Sequence, residues 1–365
     1  MKDLRPAARL PLLALGALSL LAGVLAGLAR LGWIVPDAAA SAAGWHGALM
    51  ISAFLGTVIS LERAVAIGRG WAYLAPATAG AGGIGLLAAV PSPLPQALFV
   101  AASAVLLAAS VQVLRRLVTS FTLVLALGAA CWLAGNIAWI AHGDIAAAVP
   151  WWLAFLVLTI AGERLELTRL LPTPAVAKRL FVPIVGAVVA GAAVTLRAPD
   201  EGLVLFSAAL LALALWLMAY DLARRNARTQ GLTRFIAIAL LAGYAWLAFA
   251  GLLGMAGGFL PGHPWRDATL HAVALGFVFS MIFGHAPIIL PAVARVRLPY
   301  HPAFYLPLAA LHASLLLRVC GSVEGRFLLR HAGGLVNALA LLLFIATMLA
   351  AVLLGRRGRG REREA

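Results

Sequence analysis

Twelve apolar runs of roughly 16–25 residues, the length that crosses the hydrocarbon core of a bilayer, constrain this chain more than any other feature. They fall near 10–30, 45–61, 71–91, 95–114, 119–141, 147–162, 180–196, 202–220, 235–259, 268–290, 303–317 and 332–354. In hydrocarbon a helix satisfies its own backbone N–H and C=O groups, so runs of this length predict twelve transmembrane helices. Composition agrees: 63% of residues are hydrophobic and 11% charged, against about 45–50% and about 25% in soluble domains. The expected fold is an all-α polytopic membrane protein, with residues 1–365 as a single transmembrane domain.

A net charge of +15 would suit nucleic acid, but its placement gives another reading. Twenty-two of the 28 Lys and Arg residues fall on alternate connections, and six (Arg30, Arg197, Arg266, Arg318, Arg326 and Arg330) fall on the other side. By the positive-inside rule both termini are then cytoplasmic, and residues 355–365 form a basic cytoplasmic tail. Trp33, Trp45, Trp139, Trp151, Trp152 and Trp265 lie at outer ends of the runs, while Trp71, Tyr73, Tyr220, Tyr300 and Tyr305 lie at inner ends, as interfacial belts require. The first run is read as a retained helix rather than a signal peptide. A bacterial inner membrane is the expected location, the lipid bilayer is the expected partner, and nucleic acid is not. Two cysteines, Cys131 and Cys320, are too few for a disulfide framework.

The second run carries Ala53-Phe54-Leu55, Ile59 and Glu62-Arg63, and the sixth carries Ala154-Phe155-Leu156, Ile160 and Glu163-Arg164 in the same spacing. In the tenth run Phe277, Ile282 and His285 continue the pattern. This periodicity points to three four-helix arcs, with the second, sixth and tenth helices in corresponding places.

Ionisable side chains at membrane depth are costly and mark candidate sites. His46 opens the second run and His271 lies near the outer start of the tenth. Two readings stand: an axial pair for a haem, or interfacial histidines bonded to water or a loop. His271 and His285 are fourteen residues apart, about 1400° of α-helix, so they should share a face about 21 Å apart along the axis. His312 sits roughly 14 Å into the eleventh helix and is either a metal ligand or a helix–helix hydrogen-bonding residue. His331, at the outer start of the twelfth, is read either as an interfacial histidine or as a third ligand beside His46 and His271. His285 and His301 bracket a proline-broken inner connection, read as a structured turn or as part of a proton path or inner site. Glu62 and Glu163 each precede an arginine at the inner boundary, where they either anchor a helix end or take up protons. Asp267 fits a first-turn acid favoured by the helix dipole. His142 and His263 fall in outer loops. No GxxxxGK[ST], HExxH, CxxCH or GxSxG motif is present, which leaves ATP hydrolysis, proteolysis and c-type haem attachment without support.

The twelve-helix plan, with HGALMISAFLGTVI at 46–59 and HAVALGFVFSMIFGH at 271–285, resembles the NnrS family of haem- and copper-containing membrane proteins linked to nitric oxide tolerance. That family is similar in outline to haem-copper oxidase subunit I, which is built from three four-helix arcs. The resemblance implies haem b held by His46 and His271, copper drawing on His312, His331 or His285, a small gas as ligand, and a redox partner. It departs from the oxidase pattern in the sixth and seventh helices, which have no histidine, so the usual oxidase copper site is not assembled. The alternatives are a secondary transporter using the histidines of helices 10–11, and a cofactor-free structural or assembly protein.

Overall fold

The structure, a computed structural model, describes residues 3–168 and 174–364. Lys2 and Arg169, two of the inner-side basic residues, lie outside the described residues, as does Ala365. Among the described residues the regular structure is entirely helical. The main helices are α1 Pro6–Arg30, α2 Ala43–Ile67, α3 Leu74–Leu87, α4 Leu94–Arg116, α5 Ser120–His142, α6 Ile145–Thr168, α7 Ala175–Val194, α8 Pro199–Tyr220, α9 Gly231–Met255, α10 Arg266–Ala294, α11 Pro302–Val323 and α12 Phe327–Glu364. The chain is thus an all-α polytopic membrane protein.

Eleven of these helices are long and apolar enough to cross a membrane, one fewer than the sequence predicts. The exception is α3. Its expected run, 71–91, is divided: a 3-10 turn occupies Gly70–Tyr73, the α-helix covers 14 residues, and Ala89 in the left-handed region (φ 51°) closes it. Fourteen residues rise about 21 Å, short of the roughly 30 Å hydrocarbon core. At the other end of the chain, the helical backbone of α12 runs through the whole basic tail to Glu364.

Two helices contain wide turns that no apolar count reveals. Leu49–Leu55 in α2 and Ala272–Phe279 in α10 are π-helical. Such turns are uncommon and collect at functional sites.

The chain divides into two compact units, Met1–Glu166 and Leu167–Ala365, holding α1–α6 and α7–α12. The division falls at the end of the sixth helix, not at the four-helix periods that the sequence repeat implies.

In the first unit, α1 packs on α2, α3 on α4, and α4 on α5. Its centre is a polar network sealed in apolar surroundings. The fully buried Asn136 of α5 accepts from Ser52 Oγ (3.1 Å) and Trp152 Nε1 (3.0 Å), and donates to the Phe99 carbonyl (3.0 Å) and Ser103 Oγ (3.1 Å). Trp132 Nε1 donates to Ser52 Oγ at 3.1 Å. Helices α2, α4, α5 and α6 are therefore joined by hydrogen bonds that have no competing water in hydrocarbon. The Trp132 ring stacks on Phe155, with centroids 5.1 Å apart. It also covers Gly56, where a Cβ would collide with the indole.

The same unit ties down the N-terminal segment. Arg9, 3% exposed, donates to Asp3 Oδ2 (2.8 Å) and to the Leu4 carbonyl (3.1 Å), and Tyr73 Oη donates to Asp3 Oδ1 (2.7 Å). Tyr73→Phe removes one hydrogen bond to a charged acceptor and is expected to cost about 1.5–3 kcal/mol. Limited proteolysis of the N-terminal segment would detect this loosening; unchanged protection would show that Arg9 alone holds Asp3.

In the second unit, α7, α8 and α9 pack in sequence, α9 packs on α10, and α11 packs on α12. The α11–α12 pair approaches closely because Gly333 has no side chain: a Cβ there would lie 2.6 Å from the backbone nitrogen of Arg318. Small residues at such crossings let helices gain packing that lipid cannot provide.

Candidate metal-ligand histidines

His46 follows the 3-10 turn Ala43–Trp45 at the start of α2. Its Nδ1 lies 2.7 Å from the Gly23 carbonyl of α1. The ring rests on Gly27, where a Cβ would come within 2.7 Å of Cε1 and 2.8 Å of Nδ1. Gly23 and Gly27, one helical turn apart, thus make the bed on which the imidazole lies. A carbonyl can only accept, so Nδ1 carries a proton.

His271 reaches the same tautomer by a different route. Its Nδ1 lies 2.8 Å from the Asp267 carbonyl and 3.3 Å from Asp267 Oδ1. The Asp267 carboxylate is gripped at both oxygens by Arg318 of α11, with Nε 2.8 Å from Oδ2 and Nη2 2.7 Å from Oδ1, and Ser322 Oγ lies 3.4 Å from Oδ2. Asp267 lies in the first turn of α10, as its position predicts, and has a second role. It is one half of an ion pair joining α10 to α11, and the α10 N-cap is Trp265, with no side-chain capping bond.

His285, in the C-terminal half of α10, also holds Nδ1 on a carbonyl, that of Met281 at 2.8 Å. It does not share a face with His271 as uniform α-helix predicts. Each i→i+5 turn takes in one residue more than an i→i+4 turn, so the π segment between them slips the register by about one residue, roughly 100°.

His312 has the opposite tautomer. Its Nδ1 accepts from Trp246 Nε1 of α9 at 2.9 Å, so the proton sits on Nε2, a buried atom with no hydrogen-bond partner among the described residues. Ligation through Nε2 would move the proton to Nδ1 and set two donors against each other. Of the two readings for His312, the geometry gives the helix–helix hydrogen bond. The Trp246 side chain packs against Gly276, where a Cβ would collide with it.

His331 begins α12 with its ring 5.5 Å from Phe327. His301 caps the 3-10 turn Pro302–Phe304, accepting from Ala303 N at 3.1 Å, so it belongs to a structured turn. His263 does the same for Trp265 N at 3.1 Å. Glu62 and Glu163 lie close enough for their charges to act on each other, with Arg63 and Arg164 in range of Glu163. The two Glu-Arg matches of the repeat thus gather in the first unit.

Among the described residues no three His, Cys, Asp or Glu side chains converge into a group able to hold a metal ion. His46 lies in the first unit and His271 in the second, and each directs Nδ1 at a peptide carbonyl of its own unit. Sequence reasoning found both histidines but missed their supports. The signal for Arg318 was present, as an outer-side arginine on the helix following Asp267, while nothing local announces Gly23 or Trp246.

No curated protein matches the chain. The family model described as a domain of unknown function, DUF8744, matches residues 9–353, and the chain belongs to that family.

Proposed function

We propose that this protein is an integral membrane haem-binding protein of NnrS type, with His46 and His271 as the imidazole ligands of a b-type haem near the outer face. It binds or handles nitric oxide or a related small gas at a bacterial inner membrane, with both termini cytoplasmic. The observation that carries the reading is the shared setting of the two histidines: each sits at the start of a helix with a π segment, its Nδ1 proton held by a peptide carbonyl. A bound haem would supply an iron able to take a diatomic ligand and exchange an electron. The chain's own part is to hold each ring in one orientation and tautomer and to surround the site with apolar helix, which keeps water away. Copper, and a redox partner, belong to the same reading without a residue set to carry them.

The optical spectrum of the detergent-purified protein tests it. A Soret band with b-type peaks on reduction is expected, with the band lost or shifted in His46→Ala and in His271→Ala. A colourless, metal-free protein would overturn the proposal. The two six-helix units bring a transporter to mind. Against that, the histidine and π segment lie on the second helix of one unit and the fourth of the other, so the units do not correspond helix by helix.

A further inference from the structure

Where α11 turns into α12, the second unit carries more positive charge than its acids answer. The Asp267 carboxylate is held at both oxygens by Arg318, and Glu324 Oε2 lies 3.5 Å from Arg326 Nη1. Arg330, in the first turn of α12, pairs with neither. Its charge reaches Asp267, but less strongly than those of His271 and Arg318. Among the described residues its guanidinium donates no hydrogen bond, and Nε is closed off from solvent without an acceptor. The backbone cannot retreat to find one, because α11 crosses α12 at Gly321, where a Cβ would collide with the Arg330 nitrogen. The side chain is only half-buried, so the guanidinium is open to an acceptor from outside the chain. Its carbon stands 5.5 Å from the centre of the Phe327 ring, which is itself 51% exposed, and the adjoining Leu328 is 78% exposed.

We propose that the α11–α12 turn binds an anionic phospholipid, with the Arg330 guanidinium on the headgroup phosphate and Phe327 and Leu328 against the acyl chains. Two arginines, Arg318 and Arg330, face one carboxylate, so one positive charge is left for a ligand to neutralise. A planar guanidinium presents paired donors that match the oxygens of a phosphate. The neighbouring surface decides what carries that phosphate. A free inorganic anion would use the arginine and leave the apolar side chains beside it bare, whereas a phospholipid covers both. Arg330 also lies at the start of a span, Phe327–Gly355, long and apolar enough to cross a membrane. A basic side chain at such a helix end reaches the level of the headgroups. Arg326 is no part of the site, since it is exposed and already has Glu324 beside it. The site lies wholly within the second unit and is independent of any haem.

The experiment titrates the full-length protein, in a mild detergent, with phosphatidylglycerol or with phosphatidylcholine and counts bound lipid by native mass spectrometry. Phosphatidylglycerol is expected to bind about 5-fold more tightly than phosphatidylcholine, the preference that one basic side chain near a headgroup supplies. Arg330→Gln is expected to abolish that preference, and Arg326→Gln to leave it unchanged. Equal binding of the two lipids to the wild-type protein, or a preference that survives Arg330→Gln, would overturn the proposal. An equal loss in Arg326→Gln would also overturn it, because the attraction would then come from diffuse basic charge. Inorganic phosphate is expected not to displace phosphatidylglycerol; displacement would mean that the site takes a free anion. Leu328→Ser changes a side chain with little packing to lose and serves where Arg330→Gln does not fold. It is expected to weaken phosphatidylglycerol binding several-fold, and unchanged binding would refute the lipid assignment.

Discussion

Arg318→Leu is expected to destabilise the second unit by about 3–5 kcal/mol, the usual cost of leaving one member of a buried ion pair without its partner. The Asp267 side chain is 22% exposed and that of Arg318 is 9% exposed, so the surviving carboxylate would remain largely out of water beside apolar helix. The pair is bidentate, and two parallel hydrogen bonds are lost together. Asp267→Asn/Arg318→Leu is expected to recover most of the loss, since the neutral amide carries no charge to desolvate. Unfolding of the detergent-solubilised variants by heat or by a denaturing detergent, analysed as a double-mutant cycle, checks both statements. A single-variant loss below about 1 kcal/mol would mean that the pair behaves as an exposed surface bridge.

The helical plan was legible because hydrocarbon leaves the backbone little choice. The apolar runs at 10–30 and 202–220 became α1 and α8 because a segment that long must satisfy its own peptide groups. The third run reads equally apolar, but its α-helix is only the 14 residues Leu74–Leu87. A 3-10 turn takes its first residues. The π segments were hidden because they follow from how α2 and α10 fit their neighbours, not from residue type; in α10, Trp246 lies against Gly276. That one local widening is enough to separate His271 and His285, which the sequence places on a common face.

The candidate site divides in the same way. His46 and His271 were visible as costly residues at the outer ends of apolar runs, and their tautomers were not. A tautomer is decided by the partner of Nδ1, and for His46 that partner is a carbonyl 23 residues earlier in the chain. His312 could be read two ways until Trp246, 66 residues away, was seen to donate to it. Asp267 and Arg318 are 51 residues apart, and only the packing of α11 beside α10 makes them a pair. Chemistry-bearing residue types stand out in an apolar chain; the contacts that assign their roles are non-local.

Asn136→Leu is expected to cost the first unit about 2–4 kcal/mol, more than its modest change in volume suggests. Leucine fills a similar space, so the loss is one of hydrogen bonds rather than packing. The Phe99 carbonyl keeps the Ser103 hydroxyl at 2.8 Å, and Ser52 Oγ still accepts from Trp132. The groups left without partners are Trp152 Nε1–H and the Ser52 hydroxyl proton, each buried among apolar side chains with no water to turn to. An unpaired buried donor costs about 1–3 kcal/mol, and interhelical hydrogen bonds in membranes average less, about 0.6 kcal/mol each. The upper end of the range applies here because both donors are fully enclosed. Asn136→Gln, which keeps the amide but misplaces it by one methylene, is expected to rescue little, whereas Asn136→Leu combined with Trp152→Phe removes one orphaned donor and should regain about half. Thermal unfolding followed by tryptophan fluorescence reads the effect directly, since Trp132 and Trp152 both report on the network. A loss below about 0.5 kcal/mol for Asn136→Leu would show that the neighbouring helices shift to find other partners, and that the network does not fix how α2, α4, α5 and α6 meet.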